Sequence, residues 1–138
     1  MIENMNSKVR DTALLFIQLE IRLIELMATE KVYLRKDISL SELANLLDTN
    51  MNYLSQIINH RLRTNFNDYI NSYRIKEACV ILHSNFSEKH SVHHVGDLVG
   101  FSSRSTFYST FKKFTGTSPA LYQQEMTQKK NSAAQTTK

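Results

Sequence analysis

The stretch Val99-Gly100-Phe101-Ser102-Ser103-Arg104-Ser105-Thr106-Phe107-Tyr108-Ser109-Thr110-Phe111-Lys112-Lys113-Phe114-Thr115-Gly116-Thr117-Ser118-Pro119-Ala120-Leu121-Tyr122 decides the fold. Upstream of it Ser91 caps a short helix that carries Val92, Val95 and Leu98. Gly100 stops that helix, since glycine takes the left-handed conformation at little cost, and Phe101 follows as an anchor. Ser102 or Ser103 caps a second helix that runs to about Phe114, with Phe107, Phe111 and Phe114 turned inward. Ser118-Pro119 opens a last helix, with proline at the first helical position and Leu121 and Tyr122 behind it. Short helix, turn and second helix form one unit.

The same plan occurs upstream. Ser39-Leu40-Ser41-Glu42 reads as a capping box, in which the Ser39 hydroxyl accepts from the Glu42 amide and Glu42 reaches back. Leu40, Leu43, Ala44 and Leu47 share one face of the helix that follows. Asp48-Thr49-Asn50 is a turn and a new cap. The next helix runs from Met51 to about Asn59, with Leu54, Ile57 and Ile58 inward. Between the units, Asn65 caps a helix of about 17 residues, or roughly 25 Å. Its inward residues are Phe66, Tyr69, Ile70, Tyr73, Ile75, Ala78, Ile81 and Leu82, and a polar loop from His83 to His90 follows. Before the first unit, Lys8 to Thr29 contains no Gly or Pro and reads as one long helix. Phe16, Leu19, Leu23 and Leu26 form one stripe and Ile17, Ile21 and Ile24 a neighbouring one. That face is wider than one partner surface needs, so part packs on the downstream domain and part on something else.

The composition agrees. Three glycines and one proline in 138 residues are too few for the turns of a sandwich or barrel, and 41% hydrophobic residues supply a core. The expected architecture is all-α: two helix-turn-helix subdomains joined by a long bridging helix and preceded by an N-terminal helix. The expected domain limits are 1–31 for a coupling or dimerisation helix, 32–126 for the body and 127–138 for a disordered tail. Within the body the first helix-turn-helix spans 39–60, the bridging helix 65–83 and the second helix-turn-helix 91–115. One cysteine excludes a disulfide scaffold. No apolar run approaches the roughly 18 residues of a membrane span. These features suit a soluble protein of the cytoplasm.

The net charge of +4 is unevenly distributed. Residues 1–50 hold six cationic and eight acidic side chains, a net of −2, and residues 51–138 hold eleven and five, a net of +6. A basic body suits a polyanion partner. In a helix-turn-helix the first helix braces and the second enters the major groove. Here the two second helices are centred near Leu54 and Phe107, 53 residues apart. A bridging helix can hold such a pair about 34 Å apart, one turn of B-DNA, so that a monomer reads two successive grooves.

The segment Tyr73-Arg74-Ile75-Lys76-Glu77-Ala78 with Ile81-Leu82 resembles the bridging-helix signature of AraC/XylS-type transcription regulators. The opening stretch, Val99 to Tyr122, is similar to that family's second helix-turn-helix signature almost throughout. The resemblance covers roughly residues 32 to 123. It departs at Gly96, where alanine is usual, at Arg63, where glycine is usual, and at Ile58-Asn59, where phenylalanine-lysine is usual. By helix propensity Gly96 should weaken its helix by roughly 1 kcal/mol relative to alanine.

The resemblance implies sequence-specific binding of double-stranded DNA at an operator or promoter, with RNA polymerase as a further partner. Base-contacting candidates are Asn52, Ser55 and Gln56 in the first unit and Arg104, Ser105 and Ser109 in the second. Asn and Gln match adenine N6/N7, Arg matches guanine O6/N7, and Ser serves several bases. Phosphate-contacting candidates are Arg61, Arg63, Lys112 and Lys113. Plainer roles stand beside these: Asn52 as a cap, and Arg104 and the lysine pair as solvated surface charge. Arg74 reads as a structural ion-pair residue. An alternative function is the output module of a larger sensor-regulator, coupled to an upstream sensor domain or to a second copy through residues 8–29.

Other chemistry finds no support in the residues. His83, His90, His93 and His94 lack a carboxylate or cysteine to complete a metal site. Cys79 reads as a small core residue. No phosphate loop, nucleophile elbow or paired catalytic carboxylates occur, so neither a cofactor nor an enzyme activity is expected.

Overall fold

The computed structural model describes residues 2–84 and 91–136. Among them are seven α-helices and no strand. The helices are α1 (Ile2–Glu30), α2 (Leu40–Leu46), α3 (Met51–Gln56), α4 (Phe66–His83), α5 (Val92–Leu98), α6 (Arg104–Thr115) and α7 (Pro119–Thr136). A 3-10 turn, Val32–Leu34, follows α1, and a wider π turn, Ile57–Arg61, follows α3. The chain divides into two compact units, Met1–Val32 with Asp37–Tyr69, and Tyr33–Lys36 with Ile70–Lys138.

In the first unit the helix starts are set locally. The Ser39 hydroxyl accepts from the Glu42 amide at 3.1 Å, and Asn50 Oδ1 accepts from the Tyr53 amide at 2.9 Å. Asn65 Oδ1 likewise accepts from the Asp68 amide at 2.8 Å and starts α4. Such caps satisfy amides that have no partner inside the helix. The core is aliphatic: Leu43, Ala44, Leu47, Leu54, Ile57 and Ile58 are buried, and α1 adds Leu19, Leu23 and Met27. The N-terminal helix is therefore part of this unit's core. It begins earlier than the expected Lys8, at Ile2. The second helix was expected to continue to Asn59; instead the amide of Leu62 donates to the Ile57 carbonyl at 2.9 Å, the longer step of a π turn.

The second unit has an aromatic core. Ile75, Ala78, Leu82, Val95, Val99, Phe101, Phe107 and Phe111 are buried together, with Tyr108 and Tyr122 against them. Ring centroids of Phe101 and Phe107 lie 5.3 Å apart, those of Phe107 and Phe111 5.8 Å, and those of Phe111 and Tyr122 5.6 Å. Of the two candidate caps, Ser103 is the one used, accepting from the Thr106 amide at 3.1 Å. Ser91 holds the cap position of α5, but its side chain makes no capping bond. Phe114, expected inward, is exposed, with the Lys113 ammonium 5.5 Å from its ring centre. The helix α7 continues to Thr136, past residue 126 where a disordered tail was expected to begin. The run is rich in Gln, Met, Lys and Ala, which favour a helix without needing an apolar face.

Arg74 is structural, as expected, and among the described residues its partners are carbonyls and a ring, not an acid. Its Nε donates to the Tyr33 carbonyl at 2.7 Å and its Nη2 to the Arg35 carbonyl at 2.8 Å, and its guanidinium lies 5.5 Å from the Phe101 ring centre. Burial pushes its pKa below the ordinary arginine value. Tyr33 itself stacks on Tyr73 at 5.4 Å and points its hydroxyl at Glu77 Oε2. Burial first, and the Glu77 charge second, push the Tyr33 pKa up to about 12.

Gly96 now has a reason. A Cβ there would sit 2.5 Å from a ring carbon of the fully buried Phe107. Only a residue without a side chain lets α5 lie this close to that ring. At Gly100, with φ at +107°, a Cβ would meet the Tyr33 carbonyl at 2.8 Å and Arg74 Nε at 2.9 Å. Both the backbone conformation and the space therefore require glycine there.

Candidate nucleic-acid interface

In the first unit the three base-contacting candidates lie on α3 above the buried Leu54. Asn52 is exposed and its Oδ1 accepts from Gln56 Nε2 at 3.3 Å. Ser55 and Gln56 are half-buried. Gln56 borders a pocket of about 240 Å³ shared with Ala13 and Phe16 of α1 and with His60 and Arg61. Arg61, at the end of the π turn, pairs through Nε with Glu20 Oε2 of α1 at 2.5 Å. Arg63 is exposed and sits at φ +54°, a left-handed conformation. That explains why glycine is usual here in the resembling family: the backbone requires it, and arginine bears the strain. The first unit's cations therefore sit close together, but one is already engaged by the N-terminal helix.

The second unit presents its candidates differently. Arg104, Ser105 and Ser109 are all exposed on α6, Arg104 at its first turn and the two serines across the helix from the buried Phe107 and Phe111. The Arg104 guanidinium lies 5.4 Å from the Tyr108 ring centre, one helical turn on. This stack steers the guanidinium without neutralising it. Ser109 donates to the Thr106 carbonyl at 3.2 Å. Lys112 and Lys113 are exposed in the last turn of α6, where positive charge also complements the helix dipole. Below this surface Lys36 pairs with Asp97 of α5, and the hydrogen bond and charge of Lys36 hold that carboxyl below its ordinary pKa.

Two participants escaped the sequence reading. Tyr108 was within reach of it, since residues four apart on a helix are neighbours. Glu20 was not, because it lies 41 residues from Arg61. Among the described residues no group of three or more His, Cys, Asp or Glu is placed to hold a metal ion. His90, one of the four histidines weighed, lies outside the described residues. Cys79 is half-buried, and burial pushes its thiol pKa up. Among the described residues no helix is long and apolar enough to cross a membrane.

The family model of the helix-turn-helix domain matches residues 43–125. The chain thus belongs to the AraC/XylS-type helix-turn-helix family and is a DNA-binding transcription-regulator domain, not an enzyme. Solved structures agree in fold. The C-terminal domain of AraT, a response regulator from Geobacillus stearothermophilus, is 25% identical over 78% of this chain and 84% of its own, with a TM-score of 0.67. The C-terminal domain of the two-component response regulator yesN from Fusobacterium nucleatum is 24% identical over 75% of this chain and 96% of its own, with a TM-score of 0.64. A transcriptional regulator with an AraC-type DNA-binding domain from Chromobacterium violaceum is 20% identical over 78% of this chain and 93% of its own, with a TM-score of 0.67. Among curated proteins none matches.

Proposed function

We propose that this chain binds duplex DNA sequence-specifically and regulates transcription by placing α3 and α6 in successive major grooves. The observation that carries the reading is α6: Ser105 and Ser109 stand exposed across the helix from the buried Phe107 and Phe111, and Arg104 stands exposed at its first turn. In this reading Arg104 takes guanine O6/N7, Asn52 and Gln56 take adenine edges, and Ser55, Ser105 and Ser109 add adaptable contacts. Arg61, Arg63, Lys112 and Lys113 neutralise phosphates and make affinity fall steeply with salt. Bound at a promoter, the domain meets RNA polymerase in the bacterial cytoplasm. The test is selection from a pool of random duplexes at moderate salt. Enrichment of one sequence with two half-sites about one helical turn apart is the expected result. A pool that stays random rejects sequence specificity.

A second reading concerns α1. Two similar domains are C-terminal domains of response regulators, and here α1 enters the core of the first unit while leaving apolar side chains outside. This favours an output module whose N-terminal helix carries a signal from an upstream sensor or joins two copies. Replacing Glu20 with Gln tests the coupling: if α1 restrains Arg61, the variant binds duplex DNA more tightly and with a steeper salt dependence, and unchanged binding removes the link.

A further inference from the structure

We propose that the cavity where α1 meets the π turn of the first unit binds a small aromatic carboxylate, and that the bound acid releases DNA. The cavity holds about 240 Å³ and is lined by Ala13 and Phe16 of α1 and by Gln56, Ile57, His60 and Arg61. Its α1 wall lies outside residues 43–125, the part of the chain that matches the helix-turn-helix domain. The volume falls below the roughly 300–1,000 Å³ of pockets that take drug-sized molecules, which limits the ligand to one or two rings. A π turn is a rare departure from the α-helix that recurs at functional sites. Here it carries both His60 and Arg61 to the cavity rim.

The lining selects the chemistry of the ligand. The floor is apolar: Ile57 is buried, and the half-buried Phe16 ring stands edge-on to Tyr53 at 5.7 Å, held in place for a further ring to pack on. The rim supplies donors, from the Arg61 guanidinium, the His60 imidazole and the Gln56 amide, and no acid is among the lining residues. Glu20 engages Arg61 at Nε from outside the lining, and the Nη groups remain for a ligand. A guanidinium takes a carboxylate through paired hydrogen bonds, while the ring covers the apolar floor. Inorganic phosphate would meet the same donors and leave that floor wet. Release of DNA rests on the reading above, in which Gln56 takes an adenine edge and Arg61 a phosphate. A carboxylate that occupies these donors withdraws them from the duplex, so the two compete.

The full chain is titrated by calorimetry with benzoate, phenylacetate and 1-naphthoate, and with the neutral amide of each. At least one acid should bind at one site per chain with a Kd below about 1 mM. Its amide should bind about tenfold more weakly, because the charge-assisted hydrogen bonds are lost. That comparison needs no variant. Ala13→Leu fills the cavity from an exposed position on α1 and should abolish binding, with the circular dichroism spectrum and duplex affinity unchanged. Arg61→Ala should weaken binding about tenfold. No acid below about 1 mM, an amide that binds as well as its acid, or unchanged binding to Ala13→Leu overturns the site. On a duplex selected as above, the acid should weaken wild-type binding about tenfold and leave Ala13→Leu unmoved. Duplex affinity indifferent to the bound acid overturns the release. If the wild type enriches no duplex sequence, the DNA reading fails, and calorimetry still decides the site.

Discussion

The two helix-turn-helix units make the same backbone demands and meet them with different residues. Each bracing helix ends on a residue with positive φ: Gly100 at +107° in the second unit, Asp48 at +52° in the first. Each unit is followed by another: Gly116 at +80° in the second, Arg63 at +54° in the first. Non-glycine residues hold that conformation at a cost of roughly 1–2 kcal/mol each, less for Asp, whose short side chain bonds locally. The cores differ in the same complementary way. Ala44 and Leu54 hold in the first unit the places that Gly96 and Phe107 hold in the second. A larger ring on one helix is matched by a smaller residue on the other. The cations differ too, since Arg61 is engaged by Glu20 while Arg104 rests on its own Tyr108. The second unit thus meets these backbone demands with glycine and without strain, whereas the first is strained at Arg63 and has Arg61 held by α1.

The largest test of this contrast is the core. Phe107→Ala should cost about 3–5 kcal/mol and Leu54→Ala about 2–5 kcal/mol. Urea unfolding followed by amide exchange locates each loss in its own unit, and a larger loss for Leu54→Ala would show that the aromatic core is not the stiffer one. Next comes the glycine. Helix propensity alone says Gly96→Ala should stabilise by about 1 kcal/mol, but the ring of Phe107 stands in the way, and we expect a net loss of roughly 1–3 kcal/mol. Combined with Phe107→Leu, the same alanine should recover stability relative to either single change, and additivity in that cycle would exclude the size-matching account.

Binding tests follow. Arg104→Ala should lose about 1–3 kcal/mol of affinity and relax preference at one base pair. Gln56→Ala should lose less, because Gln56 is half-buried and already bonded to Asn52; equal losses would remove the distinction between the units. Arg63→Gly splits the two roles of one residue. Relief of the left-handed strain should raise stability by roughly 0.5–1 kcal/mol, while loss of one phosphate contact should lower the slope of log affinity against log salt by about 0.9. The smallest effect near neutral pH is that of Tyr33. Its pKa is raised above the ordinary 10 to about 12, so the neutral hydroxyl is favoured by folding. That stabilisation is complete below pH 10 and fades as pH rises toward 12. Tyr33→Phe should flatten the alkaline limb of a stability–pH curve, and an unchanged limb would assign it to other groups.

Helix boundaries and turn chemistry were legible because their causes are local. Ser39, Asn50, Asn65 and Ser103 each accept from an amide three residues on, and a cap of that kind depends on nothing else in the molecule. The buried side of α6 followed from three-four spacing for Phe107 and Phe111. The same spacing misjudged Phe114, because periodicity does not say where a core ends. Of the candidate site, the exposed polar residues on α6 could be read from the sequence. The condition of Arg61 could not, since its charge is answered by Glu20, 41 residues away.

By itself the sequence determined that the described residues are all-helical and where α2, α3, α4 and α6 begin. Those properties follow from hydrogen bonds and side-chain periodicity within a few residues. Only the tertiary structure decided that Arg74 serves two carbonyls, those of Tyr33 and Arg35, that Gly96 makes room for Phe107, and which stripe of α1 faces outward. Each depends on groups distant in sequence meeting at van der Waals or hydrogen-bond range, which packing alone selects.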